Sequence, residues 1–365
     1  MKEPWIRVVK KAELGKRETL ILRLEAIVLA LVAGGFFILL IGQNPFVIYQ
    51  TIVTGALRSE MAIQATVKIM IPLLIASLGV TLAFKMKFWN IGAEGQIIMG
   101  GIFASYFALF HANWNHWLLV IVMFLAGAIG GGLWGLAGMV WGLIPAIFKA
   151  KWNTNETLFT LMLNYIALNV IVFLREGAWR DPGSQGYAKI ARFNKNAALD
   201  KVFGIQFGWV IALILVVVIA VYLNRSKQGY EISVVGESQE TARYAGMNVK
   251  KVVLRTMFLS GAVCGIGGMV QATGSDVTLT TAVAGGVGFT AIIVAWLAQL
   301  NPPVILLVTF LFSVLEKGSS VVQSSFGLSS DCADVLQGII LFFILGCELF
   351  IRYQFVFRGK GGTRA

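Results

Sequence analysis

The sequence predicts an all-α integral membrane protein of about ten transmembrane helices, and two properties of the chain support this. Of its 365 residues, 57% are hydrophobic and only 13% are charged, whereas soluble domains carry roughly 25% charged residues. Apolar runs of about 17 to 25 residues, the length that crosses a bilayer as a helix, also recur along the chain. Together these observations exclude an ordinary soluble globular fold.

The apolar runs give the predicted helices in order. They lie near 24–42, 61–84, 91–110, 118–148, 156–174, 207–224, 256–273, 287–300, 303–320 and 334–351. We expect one membrane domain at 24–351, between a basic N-terminal segment 1–23 and a basic tail 352–365. Because no clear small-residue cleavage site precedes the first run, we expect an uncleaved first helix rather than a signal peptide.

The distribution of Lys and Arg predicts that both termini are cytoplasmic, since cytoplasmic loops carry an excess of these residues. On this topology, 21 of the 30 Lys and Arg residues lie in cytoplasmic segments. The net charge of +12 therefore reports topology, and no nucleic-acid partner is expected. Segment 225–255 is then a cytoplasmic loop. Segment 175–205 is an extracytoplasmic loop, which could be a lid, a docking surface or a plain solvated loop.

A polar, glycine-punctuated segment, residues 88–96, separates two long apolar runs; we call it the polar break. Glu94 is costly at this depth unless it faces a protein interior or a water-filled path. It therefore marks a candidate transport path. The alternatives are that Glu94 binds the backbone of another helix and stabilises a bend, or that it couples transport to protons.

Other residues of the polar break suit the same path. Asn90 is expected to cap a helix that begins at Ile91. Gly92 permits close approach by backbone or substrate, and the side chains of Asn90 and Gln96 offer donors and acceptors for hydroxyl or amide groups. The predicted path residues in this segment are Asn90, Gly92, Glu94 and Gln96.

The chain shows a possible internal repeat. The loop 225–255 divides the sequence into comparable halves with similar arrangements of long and short spans. The polar break has a rough counterpart at 285–290 in the second half. Many transporter folds are built from such repeats.

The fifth predicted span carries a capping signal and two polar side chains. Asn153 lies three residues before Glu156, which is the spacing of a capping box. Asn164 and Tyr165 lie further along the same helix and are candidates for the substrate path. A hydrogen bond from Asn164 to a neighbouring helix is the alternative interpretation, because buried amides in membranes often bond across helices.

The cytoplasmic loop contains a short predicted helix, from Gly236 to a C-terminal stop at Gly246. Asn248 is expected to cap the next long helix. A helix this short is marginal alone, and several of its residues are small or apolar for a solvated loop. Docking on a soluble partner explains both facts, whereas a connector lying on its own protein is the alternative. The candidate coupling residues are Gly236, Glu240, Ala242, Arg243, Tyr244 and Gly246.

Catalytic and metal sites are not expected in this chain. No phosphate-binding G-x-x-x-x-G-K-[S/T] motif follows a strand. The three cysteines form no C-x-x-C pair, so neither a disulfide nor a metal site is implied. No enzyme activity and no bound cofactor are expected.

These motifs resemble those of the permease subunits of bacterial ABC importers of the ribose and branched-chain amino acid type, in particular the simple sugar and nucleoside branch. The resemblance covers most of 60–350 and rests on Asn90 to Gln96, Glu156 with Met162 to Tyr165, Gly236 to Asn248, and Ala295 to Pro302. It implies a subunit of the bacterial cytoplasmic membrane, surrounded by lipid, that forms the translocation path without an ATPase of its own.

The resemblance also implies partners. These are a cytoplasmic ATP-binding subunit that holds ATP and Mg²⁺, a second related permease, and an extracytoplasmic substrate-binding lipoprotein. Residues 236–248 would then be the coupling helix, and nucleosides, or a related simple sugar, the cargo. A secondary transporter driven by an ion gradient through Glu94 is the alternative from another class, but it leaves the 236–248 helix without a role.

Overall fold

The structure is a computed structural model. It describes residues 6–10, 16–129, 138–327 and 353–357, together with 329, 335, 336, 338, 339, 342, 343, 346 and 347. The chain divides into two compact units, one formed by 1–59 and 314–365 and the other by 60–313. Helices dominate both units, which confirms the predicted all-α membrane fold.

The first unit contains a terminal sheet and two helices that meet at a sharp bend. Strand β1 (Ile6–Lys10) pairs antiparallel with the C-terminal strand Tyr353–Phe357. Helix α1 (Lys16–Leu40) precedes α2 (Pro45–Leu57), and the apolar part of α1 lies at 110° to α2. The first unit's buried cluster comprises Ile38, Ile48, Ile52, Val322 and Leu336.

Helix α2 was not predicted, although the sequence carries its start signal. Asn44 accepts a hydrogen bond from the backbone N–H of Phe46 at 3.0 Å, and Pro45 occupies the first turn. An Asn N-cap followed by Pro is a standard helix start. Helix α2 has 13 residues, which is shorter than a membrane span. A search for long apolar runs therefore did not predict it.

The second unit contains the helices around the polar break. In order they are α3 (Glu60–Lys85), α4 (Ala93–Phe110), α5 (His116–Ile129), α6 (Gly138–Trp152), α7 (Glu156–Glu176), α8 (Gly208–Arg225), α9 (Lys227–Glu237), α10 (Gln239–Tyr244), α11 (Val249–Val270) and α12 (Val287–Leu297). A π-helix, Gln271–Asp276, continues α11. Helix α13 (Pro302–Phe326) follows α12 and ends within the first unit.

Six helices among the described residues are long and apolar enough to cross a membrane, or seven if α1 and α2 form one bent span. The predicted count of ten and the cytoplasmic location of both termini stay predictions. The predicted span 334–351 lies largely outside the described residues. Within the predicted span 118–148, the structure describes α5 and α6, and residues 130–137 lie outside the described part.

Glycines bring α4 and α11 into backbone contact at the centre of the second unit. Gly100 lies against the backbone of Gly265, and Gly268 lies against the carbonyl of Ile97. Small residues allow such close approach where helices pack in lipid. Helix α11 thereby packs closely along α4, which begins at the polar break.

Two details of the predicted elements differ in the structure. The N-cap of α7 is Asn155, whose Oδ1 accepts from the N–H groups of Thr157 and Leu158, and not Asn153. Glu156 instead pairs with Lys149 at 2.9 Å. The capping-box spacing was therefore a false match, because an adjacent Asn competed for the same position.

The extracytoplasmic segment predicted at 175–205 is ordered. It contains a 3₁₀ turn, Lys195–Ala197, and a two-residue hairpin of strands β2 (Lys201–Val202) and β3 (Ile205–Gln206). The C-terminal strand Tyr353–Phe357 is therefore numbered β4. The N–H of Phe193 donates to the carbonyl of Val277 at 2.9 Å, and that of Leu199 donates to the carbonyl of Thr273 at 3.1 Å. The segment thus packs on the end of the π-helix and on the residue that follows it.

Candidate functional site

The polar break forms a tight turn between α3 and α4. Helix α4 begins at Ala93, with Gly92 at the N-cap, two residues later than the predicted start at Ile91. Asn90 is fully buried, and its Oδ1 accepts from the N–H of Gly92 at 2.9 Å. Its Nδ2 lies 3.3 Å from Oε1 of Gln96 and 3.4 Å from Oγ of Ser260 on α11. Asn90 therefore braces the turn before α4.

Helix α7 supplies the hydrogen bonds that the interrupted backbone lacks. The Oγ1 of Thr160 accepts from the N–H of Ile91 at 3.2 Å. Asn164 accepts from the N–H of Gly95 and donates to the carbonyl of Ile91, both at 2.9 Å. A buried backbone polar group without a partner is costly in the membrane interior. The amide of Asn164 thus replaces two backbone partners at the start of α4.

Close packing explains the two glycines of the polar break. A Cβ on Gly95 would stand 2.9 Å from Oδ1 of Asn164, and a Cβ on Gly92 would stand 3.0 Å from Cβ of Thr160. The space beside both glycines is occupied by α7. The close approach that the sequence predicted is therefore made here by a neighbouring helix.

Glu94 joins the polar break to α12. Its Oε1 accepts from the N–H of Gly286, and its Oε2 accepts from the N–H of Gly288, both at 2.8 Å. These donors lie at the start of α12, where orphan N–H groups and the helix dipole favour a negative charge. The carboxylate thus caps α12 from another helix, which is the geometry of the alternative in which Glu94 binds a second helix's backbone.

An aromatic contact supports the same junction. The ring of Trp89, which is half exposed, stacks on the ring of Trp296 of α12 with centroids 5.6 Å apart. Phe84 at the end of α3 contacts both rings, with centroids 5.5 and 5.9 Å away. The hydrogen bonds of Glu94 bring the two segments that the sequence paired as a repeat, 88–96 and 285–290, into direct contact.

Not all predicted path residues lie together. Asn90, Gly92, Gln96 and Asn164 are buried among α3, α4, α7 and α11, and Glu94 is partly buried beside α12. Tyr165 is not buried with them, since it is 59% exposed. A place for these six residues along a substrate path stays a prediction. The partners Thr160 and Ser260 were not predicted, although each is a polar residue inside an apolar run.

The segment 225–255, which was predicted to be cytoplasmic, contains two short helices with well-defined ends. Ser226 caps α9 and Ser238 caps α10, each with a side-chain oxygen that accepts a backbone N–H. Helix α10 ends before Gly246, which has a φ of +75°, and the N–H of Met247 bonds to the carbonyl of Ala242 at 2.9 Å. Asn248 accepts from the N–H of Lys251 at 3.0 Å and caps α11. The predicted stop at Gly246 and cap at Asn248 are confirmed.

The predicted coupling residues divide into an inner and an outer group. Ala242 is fully buried, whereas Glu240, Arg243 and Tyr244 are exposed, with Tyr244 at 95%. Gly236 belongs to α9 and not to the short helix, which begins three residues later than predicted. Helix α10 therefore presents a charged and aromatic face to solvent.

Helix α9 contacts the backbone that leads into the polar break. Gly236 lies against the carbonyl of Lys85, and a Cβ there would also stand 3.1 Å from Cα of Met86. The Nζ of Lys87 lies 3.5 Å from the carbonyl of Glu237. The end of α9 is thus in direct contact with the residues before Phe88.

A groove of about 310 Å³ lies beside α10. Its rim carries Lys227 and Lys251, and Arg255 pairs with Glu231 at 2.9 Å within it. The turn from Ala245 to Asn248 forms one wall. The groove therefore begins at Ala245, the residue that directly follows α10.

Comparison with known proteins points to one family. Residues 61–345 match the family described as the branched-chain amino acid transport system, permease component. The chain is 30% identical to a glucose ABC transporter permease protein of Haloferax volcanii, over 89% of this chain and 87% of that protein. It is 28% identical to a guanosine ABC transporter permease protein of Bacillus subtilis, over 89% and 92%. It is 29% identical to a nucleoside ABC transporter permease protein of Lactococcus lactis, over 90% and 91%.

Proposed function

The chain belongs to the branched-chain amino acid transport system permease family, and on that premise we propose that it forms the translocation path of a nucleoside importer driven by a separate ATPase. It is a transport subunit and a multi-pass protein of the cytoplasmic membrane. The observation that carries the mechanism is α10, whose Glu240, Arg243 and Tyr244 are exposed and which leads into the turn that lines a groove.

We assign α10 to the docking of an ATP-binding subunit. A helix of six residues is marginal alone, and here it is held by the buried Ala242, a Ser cap and a glycine stop. These contacts leave its outer face free to bind another protein. Gly236 and Lys87 connect the segment to the polar break, so movement of the ATPase would reach the membrane helices through α9.

The remaining components follow from the transport cycle. An extracytoplasmic binding lipoprotein would deliver the cargo, and a second, related permease would complete the path between two such subunits. ATP and Mg²⁺ would be held by the ATP-binding subunit. Closure of the ATPase would then switch the path between outward and inward access.

We propose nucleosides as the cargo. Two of the three relatives are named for guanosine or nucleosides, and one for glucose. These ligands share a ring that carries several hydroxyl groups, and the nucleoside adds a base. A simple sugar is therefore the competing cargo, and it is favoured by the relative from Haloferax volcanii.

The ion-gradient alternative gains no support from the geometry. Both carboxylate oxygens of Glu94 accept backbone N–H groups, which act as donors only. Protonation would forfeit one of these bonds and the favourable charge at the start of α12. The arrangement suits a fixed carboxylate that holds two helices together.

The docking assignment is tested by reversing charges on α10. The double variant Glu240→Lys with Arg243→Glu should lose copurification of the ATP-binding subunit and ATP-dependent uptake. The control Asp181→Lys with Lys189→Glu reverses an ion pair on segment 175–205, where the groups lie 4.0 Å apart. Unchanged uptake in the α10 variant would remove the assignment.

Cargo is tested in proteoliposomes that contain the full complex. Uptake of labelled guanosine should depend on ATP and be inhibited by excess unlabelled nucleosides but not by excess glucose. Inhibition by glucose alone would reassign the cargo to sugars. Uptake that persists without ATP and follows an imposed ion gradient would instead support a secondary transporter.

A further inference from the structure

Ten residues between the π-helix and α12, 277–286, are not helical although they pack beside α4, a helix long and apolar enough to cross a membrane; we call them the unwound segment. A Cβ on Gly101, at the middle of α4, would stand 3.4 Å from the side chain of Val283 and 3.5 Å from that of Leu279. At its far end, Gly286 binds Glu94 near the start of the same helix. The segment therefore follows about half the length of a membrane-spanning helix.

Irregular backbone at this depth restricts what the segment can face. Its N–H and C=O groups lack the regular partners of a helix, and lipid offers none. Such backbone occurs within membranes only where protein buries it or where it lines a water-filled cavity. An open face of the unwound segment therefore requires water or another polar surface.

The segment has one closed face and one open face. Leu279, Val283 and Ala284 are each at most 2% exposed. Ala282 and Gly285 are exposed, and Thr280 and Thr281 are half-buried. The exposed positions alternate with buried ones, so only part of the segment packs on α4.

Polar groups on this open side lack internal partners. The N–H of Val283 bonds to the carbonyl of Thr280, and the hydroxyl of Thr278 bonds to the carbonyl of Ile190. No hydrogen-bond partner for the hydroxyls of Thr280 and Thr281 occurs among the residues that the structure describes. Two threonine hydroxyls and nearby backbone are thus available to a ligand.

We propose that the unwound segment lines the water-filled path and that Thr280, Thr281 and the adjoining backbone bind the hydroxyl groups of a neutral, hydroxyl-rich ligand such as the sugar ring of a nucleoside. Uncharged donors and acceptors suit such a ligand, since a hydroxyl can both donate and accept. The ligand class rests on the proposed function, whereas the contact with water rests on the backbone and burial alone.

The test compares two alanines of the same segment. In a variant of the full complex that lacks native cysteines, Ala282→Cys exposes a thiol on the open face, and the matched control Ala284→Cys places one on the closed face. A charged, water-soluble methanethiosulfonate should modify Ala282→Cys at least about tenfold faster than Ala284→Cys, because only accessible thiolates react. ATP-dependent uptake of each unlabelled variant verifies that the complex is intact.

Saturating guanosine should slow the labelling of Ala282→Cys several-fold. Labelling only by a lipid-soluble maleimide, or by neither reagent, would overturn the contact with water. Labelling that guanosine and glucose both leave unchanged, in a complex that imports guanosine, would overturn the ligand contact while the proposed function stands. Protection by glucose alone would reject nucleosides as cargo and support the segment as the path.

Discussion

The polar break and the unwound segment are two interruptions of helix that meet at Glu94, and they differ in how their polar groups are satisfied. In the polar break, Asn90 and Asn164 are buried and bonded to backbone or side chains of the same chain. In the unwound segment, Thr280 and Thr281 are half-buried and their hydroxyls are available. Both interruptions place polar residues at membrane depth, but only one leaves them for a ligand.

The difference teaches that polarity within a membrane sequence does not by itself mark a ligand site. A membrane protein must also satisfy the backbone wherever a helix is interrupted. Large amide and carboxylate side chains do this in the polar break, because each has several donors or acceptors. Residues that support the backbone are buried and hydrogen-bonded within the chain. Residues available to a ligand are accessible and have no such hydrogen bond.

The largest expected effect on stability comes from removing the hydrogen bonds that Asn164 makes to the polar break. Asn164→Leu removes both hydrogen bonds to the start of α4 and should lower the free energy of unfolding by about 2–5 kcal/mol, because buried backbone groups lose their partners. The thermal unfolding midpoint of the purified complex measures this. The control Asn169→Leu lies on the same helix, where the amide donates to the carbonyl of Tyr165 within that helix. Equal loss in both variants would contradict the special role of Asn164.

The junction between the two interruptions is tested by Glu94→Gln. The substitution keeps one acceptor oxygen, but its amide group would face a backbone N–H at the start of α12. We expect a loss of about 1–3 kcal/mol in stability, with uptake reduced at neutral pH. The control Glu237→Gln changes an exposed carboxylate. A fully stable Glu94→Gln complex that loses only pH-dependent exchange without ATP would restore the ion-gradient alternative.

A smaller effect is expected from the backbone where the unwound segment ends. Gly286 has a φ of +82°, and no atom lies within 4 Å of a Cβ built there. Gly286→Ala should therefore cost about 1–2 kcal/mol from the left-handed conformation alone, without a clash. We expect a lower thermal unfolding midpoint of the purified complex, with uptake retained. A neutral result would mean that the backbone at Gly286 relaxes without loosening the bond to Glu94.

The smallest stability effect is expected on the open face. Thr280→Val with Thr281→Val removes two hydroxyls that have no internal partner, so the unfolding midpoint should stay unchanged. Loss of hydrogen bonds to the cargo should raise the KM for uptake. The rise corresponds to a loss of about 0.5–1.5 kcal/mol of binding free energy per bond. Thr278→Val is the contrasting variant, because its hydroxyl binds the carbonyl of Ile190. A large stability loss in the Thr280 and Thr281 variant would show that those hydroxyls stabilise the fold instead of binding cargo.

Much of the fold could be predicted from local patterns. Apolar length identified α3, α4, α7, α8 and α11, because a bilayer demands that length from every spanning helix. Cap chemistry identified the stop at Gly246 and the start at Asn248, since both signals act within a few residues. Helix α2 and the pairing of β1 with β4 were missed. The first is short, and the second joins residues more than 340 positions apart, which no local pattern reports.

The candidate site could be predicted only in its residue types. The sequence singled out Glu94 and Asn164 because such side chains are costly in a membrane without partners. Nothing local identified Gly286, Gly288 or Ile91 as those partners. The unwound segment lies between the predicted spans 256–273 and 287–300, so its lack of helix agrees with the prediction, but no local pattern indicated that it packs against α4.

The sequence by itself determined that this chain is a helical membrane protein, where most of its long helices run, and that a short helix stops at Gly246 before the cap at Asn248. Those properties follow from composition, length and neighbouring residues. Only the tertiary structure decided that Asn90 and Asn164 serve the chain's own backbone while Thr280 and Thr281 remain available. Hydrogen-bond partners in a folded membrane protein come from distant helices, and packing, rather than sequence spacing, selects them.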